Sequence, residues 1–134
     1  MMRPAIWLIA AGLGLSACSA PLPLPEAAQA IGFQGAAAER TEAVALRTAF
    51  AADSATTEIA GASCEVQQGA RRQKIKTPAK LAFAVTPGIQ EPITLQCTAV
   101  IGAQQQAVTH VVRFDKIAKP QERAYPKTIG VIFR

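Results

Sequence analysis

The sequence predicts an all-β protein, a small antiparallel β-sandwich closed by one disulfide and preceded by a signal peptide and a Pro/Ala-rich tether. Three observations predict it. From about Glu42 onward apolar residues fall at every second position, the signature of strands with one buried face. Gly69, Pro87-Gly88 and Gly102 punctuate those runs where a chain must turn. Cys64 and Cys97 each lie on the apolar parity of their own run, which suits a bridge within the core or between neighbouring strands. With little convincing helix, these features favour a sandwich or a small barrel.

The N-terminus has three zones. Met1, Met2 and Arg3 make a short basic start, and Ala5 to Leu15 is an unbroken run of apolar residues and glycine. A helix needs ~20 apolar residues to cross a bilayer, so this run fits the core of a secretory signal better than a membrane span. Leu15-Ser16-Ala17-Cys18 resembles the lipobox of bacterial lipoproteins, in which the cysteine thiol takes diacylglycerol and becomes the new N-terminus. The leucine seats the segment in the peptidase and the two small residues pass its cleft. A plain signal peptide with a chance cysteine is the simpler alternative. The resemblance implies lipidation of Cys18 and a stable anchor, since two or more acyl chains suffice to hold a protein at a membrane. Ser19 stands where, in the enterobacterial sorting rule, an aspartate would favour the inner membrane, which points to the outer membrane facing the periplasm.

The expected organisation is therefore residues 1–17 as signal, 18–41 as lipidated cysteine and tether, and 42–134 as the β-sandwich. Removing the signal leaves 117 of the 134 residues, enough for one modest core. Only Arg3 is lost among charged residues, so 13 Lys+Arg stand against 9 Asp+Glu, a net charge of +4. With Cys18 committed to lipid, Cys64 and Cys97 remain as an even pair, in an oxidising compartment most economically a disulfide. Two free buried thiols are the alternative.

In the tether, Pro21, Pro23 and Pro25 alternate with Leu22 and Leu24, which favours an extended strut at ~3.1 Å per residue. Residues 27–39 show no clean period and fit either more tether or a short helix. Val44, Leu46 and Phe50 share one parity, although the Ala-rich stretch 36–51 also suits a helix. Ala62, Cys64 and Val66 share a face, ending in a turn at Gln67-Gln68-Gly69. Leu81, Phe83 and Val85 form the next apolar row. The clearest strand is Ile93, Leu95, Cys97, Ala99 and Ile101, with Thr94, Gln96 and Thr98 facing the other way. A turn at Gly102-Ala103-Gln104 leads to a strand around Ala107–Phe114. The proline-containing loop Lys116–Pro126 leads to a last strand near Thr128–Phe133.

Ala62-x-Cys64-x-Val66, Gly69, Lys76-Thr77-Pro78-Ala79 and Ile93-Thr94-Leu95-Gln96-Cys97 together resemble a domain of small proteobacterial lipoproteins. That domain is related to the PEGA domain, with its "GA-x-V…G…TP" rhythm and transthyretin-like sandwich. The resemblance spans roughly Val44 to Ile101. The chain departs from it in lacking the "GY" that often follows, and its last thirty or so residues lie outside the match. The resemblance implies an envelope module and carries over no catalytic residue.

Chemistry-bearing constellations are scarce. His110 is the one histidine, set in the β-patterned run Val108–Val112, where packing or solvation is the plainer role. A tetrahedral zinc site needs three or four ligands, which the bridged cysteines cannot supply, so no metal or other cofactor is expected. No G-x-S-x-G elbow, phosphate loop or dinucleotide fingerprint occurs, and no catalytic residue is assigned. Charge is the uneven feature. Arg71, Arg72, Lys74, Lys76 and Lys80 crowd ten residues without an acid, at a turn Gly69–Arg72 expected to project from one end. Arg113, Lys116, Lys119, Arg123, Lys127 and Arg134 form a second stretch, diluted by Asp115 and Glu122. The functional reading is a surface for an anionic envelope polymer, lipid headgroups or an acidic envelope protein. Ordinary solvated strand faces are the plainer reading. Nucleic acid is not expected, because no aromatic platform is interleaved with the cations. The function expected is a membrane-anchored, non-enzymatic structural or interaction module, with a small-molecule- or glycan-binding lipoprotein as the alternative. A filled sandwich core favours the first, and a pocket of mixed polar and aromatic side chains favours the second.

Overall fold

The computed structural model describes residues 21–31 and 40–134; the signal segment, Cys18 and residues 32–39 lie outside the described residues. Among the described residues nine strands make two sheets, and none is helical. The strands are β1 (Gln29–Ala30), β2 (Arg40–Ala52), β3 (Ala55–Ile59), β4 (Ser63–Gln68), β5 (Arg71–Lys76), β6 (Ala79–Val85), β7 (Ile93–Ile101), β8 (Gln104–Val112) and β9 (Thr128–Phe133). The Ala-rich stretch that also suits a helix is strand from Arg40 onward. Its alternation of Glu42, Val44, Leu46 and Thr48 buried against exposed or half-exposed neighbours is the period of a strand.

Sheet II, in the order β5-β4-β7-β8, is antiparallel throughout. Two of its three pairings are hairpins with two-residue turns, Gly69-Ala70 and Gly102-Ala103, closed by Gln68↔Arg71 and Ile101↔Gln104. Gly69 has φ +61°, a left-handed conformation that favours glycine, whereas the carboxylate of exposed Glu91, which a Cβ would meet, can swing aside. β7 has the bounds its alternation predicts.

Sheet I is built differently. β2 pairs antiparallel with β6 over Arg40–Leu46 and with β3 over Thr48–Ala52 along one edge. β9 lies parallel along the other edge, from Ala45↔Thr128 to Phe50↔Phe133. β1 adds two residues parallel to β6, and Ile31 follows with its side chain in the core at 1 % exposure. The chain changes sheet at Gly61 and at Thr77-Pro78. These two corners are tied by Gly61 N–H to Thr77 O (2.7 Å) and Thr77 N–H to Ala62 O (3.0 Å). The buried hydroxyls of Thr48 and Thr77 share a hydrogen bond of 2.6 Å, so one polar contact pins this crossing to the middle of sheet I.

The inner faces fill one core, whose largest fully buried side chains include Phe83, Phe133, Leu46, Leu81, Ile93 and Leu95. Cys64 and Cys97 are directly opposite each other on β4 and β7 and form the predicted disulfide, with a Cα–Cα distance of 4.0 Å. It is a cross-strand bridge on the core face of sheet II.

The proline-rich segment lies against the domain over its described length. Leu22 N–H donates to Glu58 Oε1 (3.1 Å), and Arg47 Nη1 donates to Leu22 O (2.8 Å) and Glu58 Oε2 (2.7 Å). Lys80 Nζ donates to Glu26 O (2.8 Å). Arg47, Glu58 and Lys80 alternate with core residues on β2, β3 and β6, so residues 21–28 form a strap across the outer face of sheet I. Pro21, Pro23 and Pro25 are exposed, and Leu22 and Leu24 are half-buried.

Candidate functional site

Strand parity sorts the basic cluster. On β5, Arg72, Lys74 and Lys76 are exposed on the outer face of sheet II, spaced ~7 Å apart as alternate residues of one strand. Arg71 belongs to the opposite parity, is half-buried and lies near Tyr125, whose ionisation its charge assists. Lys80 is on β6 in the other sheet, engaged with Glu26. The expectation of one turn-borne cluster is therefore corrected. The turn is only Gly69-Ala70, the cations sit on an edge strand, and three of the five share a face. The corner at Thr77-Pro78 carries Lys80 away.

Beside that row the outer face is polar. Glu65 on β4 sits opposite Lys74, and its Oε2 is 3.9 Å from Arg72 Nε, a long and partly exposed pair. Ser63, Gln96 and Thr98 continue the surface across β4 and β7, and with Lys74, Lys76 and Gln29 of β1 they line an open depression of about 840 Å³. No aromatic side chain lines it. The face offers cations, hydroxyls and amides to an extended anionic ligand, with one carboxylate in its middle to limit how tightly phosphate-like groups settle.

A second polar centre is internal. Glu42 occupies an inward position of β2, continuing the parity of Val44 and Leu46, and is 7 % exposed. Its carboxylate accepts the N–H groups of Ala124 (3.0 and 3.1 Å) and Tyr125 (2.8 Å), and Arg40 Nη2 lies 3.1 Å away. Burial opposes its ionisation, but the two backbone donors, Arg40 and the nearby Arg123 outweigh that, so its pKa lies below the ordinary value. Arg123 Nη2 donates to Ala43 O (2.6 Å), and Arg40 Nη2 to Glu122 O (2.6 Å). These bonds latch the loop 113–127 onto sheet I.

Tyr125 then enters the core. Its ring stacks on Phe83 (centroids 4.9 Å apart) and meets Phe114 edge-on (5.2 Å). Its hydroxyl lies 3.0 Å from Ala84 O and receives Gln68 Nε2–H at 2.8 Å. Burial raises its pKa, so the phenol stays protonated and available as a donor. Neither Glu42 nor Gln68 stands out as a site in the sequence, yet each carries a signal: a polar residue on the apolar parity of its strand.

His110 is half-buried on the inner parity of β8, opposite Leu95. Among the described residues no group of three His, Cys, Asp or Glu could hold a metal ion. Comparison with known proteins returns no match: no family model, no curated protein and no solved structure matches this chain.

Proposed function

We propose that this chain is a membrane-anchored bacterial envelope lipoprotein, acylated on Cys18, that acts as a non-enzymatic interaction module for an anionic envelope polymer. The observation that carries the reading is the row Arg72, Lys74, Lys76 on the outer face of sheet II, whereas the strap crosses the outer face of sheet I. Cys18 lies four residues before Leu22, a reach of at most ~14 Å, so a lipid there would keep the strap and sheet I close to the bilayer. The cationic row would then face away from the anchor, towards the compartment. A filled core and a depression without aromatic side chains favour surface docking over an enclosed small-molecule or glycan site. The PEGA-like kinship rests on sequence rhythm alone.

Two measurements on the full chain test this. Fatty-acid labelling should be lost in Cys18→Ala, and labelling that persists would remove the anchor from the reading. Detergent-solubilised protein should co-sediment with isolated peptidoglycan at ~0.05 M salt and release by ~0.5 M, as the Debye length falls from over ~10 Å to a few Å. Replacing Arg72, Lys74 and Lys76 with Gln should remove that pelleting. Equal pelleting of variant and parent would return the row to an ordinary solvated face.

A further inference from the structure

We propose that two copies of this chain pair through β8, antiparallel along Gln104–Val112 about a two-fold axis at Val108, joining both sheets II into one continuous sheet. Among the described residues β8 is bonded by β7 alone, and nothing pairs with its other edge. The two-residue turn makes Ile101↔Gln104 a hydrogen-bonded closing pair, so the even-numbered residues of β8 bond β7. Gln105, Ala107, Thr109 and Val111 therefore turn their N–H and C=O groups outward.

Proteins defend such edges with charge, proline, a bulge or brevity. The opposite edge, β5, is defended: four of its six residues are Arg or Lys. β8 runs nine residues with no Lys, Arg, Asp, Glu or Pro. Pairing β5 with itself would set cations against cations, whereas pairing β8 with itself opposes no like charges.

The register follows from the outward groups. Centred on Val108, Gln105 faces the partner's Val111 and Ala107 faces the partner's Thr109. Each facing pair exchanges two N–H···O=C bonds and every outward group of the strand is used. A shift of two residues either way leaves Gln105 or Val111 beyond the partner strand. Apolar surface agrees. Val100 is 71 % exposed and Val111 39 % exposed, both on the outer face, and Val100 already flanks Gln105 within its own sheet. In the pair, Val111 of one copy and Val100 of the other cover Gln105 from both sides. Half-buried Val108 meets itself on the axis.

The test is oxidative crosslinking of the full chain with copper phenanthroline, read on non-reducing gels. Position 108 is a closely set, non-hydrogen-bonded pair, the kind of cross-strand pair in which Cys64 and Cys97 already bridge. Val108→Cys should give a band at twice the monomer mass that the parent lacks. His110→Cys should not, because it faces Gln106 and lies ~13 Å along the strand from its own copy. Within Val108→Cys, adding Gln105→Lys with Val111→Lys places lysines opposite each other twice and should cut crosslinking about tenfold. Gln105→Glu with Val111→Lys should restore it. Gln105 and Val111 are exposed, so the charge changes leave the fold untouched, and Val108→Cys replaces a half-buried side chain with another small apolar one. No dimer from Val108→Cys, equal crosslinking at 108 and 110, or indifference to the charge pairs would each overturn the proposal.

Discussion

The two sheets solve the same packing problem with different means. Sheet II joins neighbours in sequence through glycine turns, and its one long-range pairing, β4 with β7, is locked by Cys64–Cys97. Sheet I has one such hairpin, β2 with β3, closed by Ala52↔Ala55, but otherwise joins residues far apart, with two parallel pairings, β2 to β9 and β1 to β6, that no tight turn can make. What replaces turns there is polar: Glu42 holds the 113–127 loop, Thr48 holds the Thr77 corner, and Arg47 with Glu58 holds the strap. Non-local strands must close long loops before contacts repay the lost entropy, so each needs a specific fastening. A disulfide serves one sheet, and hydrogen bonds to ionised or hydroxyl groups, buried or partly buried, serve the other.

The largest expected effect breaks sheet II's fastening. The bridge closes a loop of 33 residues, for which the chain-entropy model gives about 3–4 kcal/mol. Reduction of the folded protein should lower the melting temperature by roughly 15–25 °C in a domain of this size. Alkylation before and after reduction identifies the thiols as the cause. A shift of only a degree or two would mean that the hairpins alone hold sheet II, and the contrast with sheet I would lose half its content.

The difference between the sheets also decides what was legible in the sequence. Ile93–Ile101 can be read directly because apolar and polar residues alternate from Ile93 to Thr98, Thr128–Phe133 because a short β-branched and aromatic run follows a proline-containing loop, and cysteine parity foretells the bridge. β5 resists such reading. An edge strand needs few apolar contacts, so only Ile75 marks its buried face, and the charges suggest a turn. The row of Arg72, Lys74 and Lys76 follows from parity once β5 is known to be a strand. The separation of Lys80 does not, because it depends on Thr77-Pro78 being the corner between sheets. The strap is hidden for another reason. Alternating prolines describe a stiff extended segment equally well whether it stands in solvent or lies on a sheet, and only the partners, Arg47, Glu58 and Lys80, distinguish the two.

The middle-sized effect probes sheet I at Glu42. Glu42→Gln keeps the shape but replaces a charged acceptor of backbone N–H groups with an amide, at a cost of about 1–3 kcal/mol near pH 7. The folded pKa is lowered, so this stabilisation is complete above the unfolded value of 4.5 and is lost as pH falls through the folded value. Urea melts of parent and Glu42→Gln should therefore differ at pH 7 and converge in acid. A gap that stays constant down to acid pH would show that shape, and not charge, holds the loop.

The smallest expected effect is on the strap, and it separates local from global fastening. Arg47 and Glu58 keep 25 % and 20 % of their side-chain surface exposed, so solvent screens the pair, and Arg47→Met should cost under about 1 kcal/mol of global stability. The local effect should be larger. Without Arg47, Leu22 O loses its donor and Glu58 loses the cation that orients it towards Leu22 N–H. Residues 21–28 would then be held mainly by Lys80 at Glu26, while Ile31 remains buried in the core. Limited proteolysis should cut Arg47→Met within 21–28 many times faster than the parent, with the thermal midpoint nearly unchanged. Cleavage after residue 31 at the same accelerated rate would show that the strap and β1 open as one unit. An unchanged cutting rate would show that Leu22 and Leu24 hold the strap by packing, and that this fastening of sheet I is apolar after all.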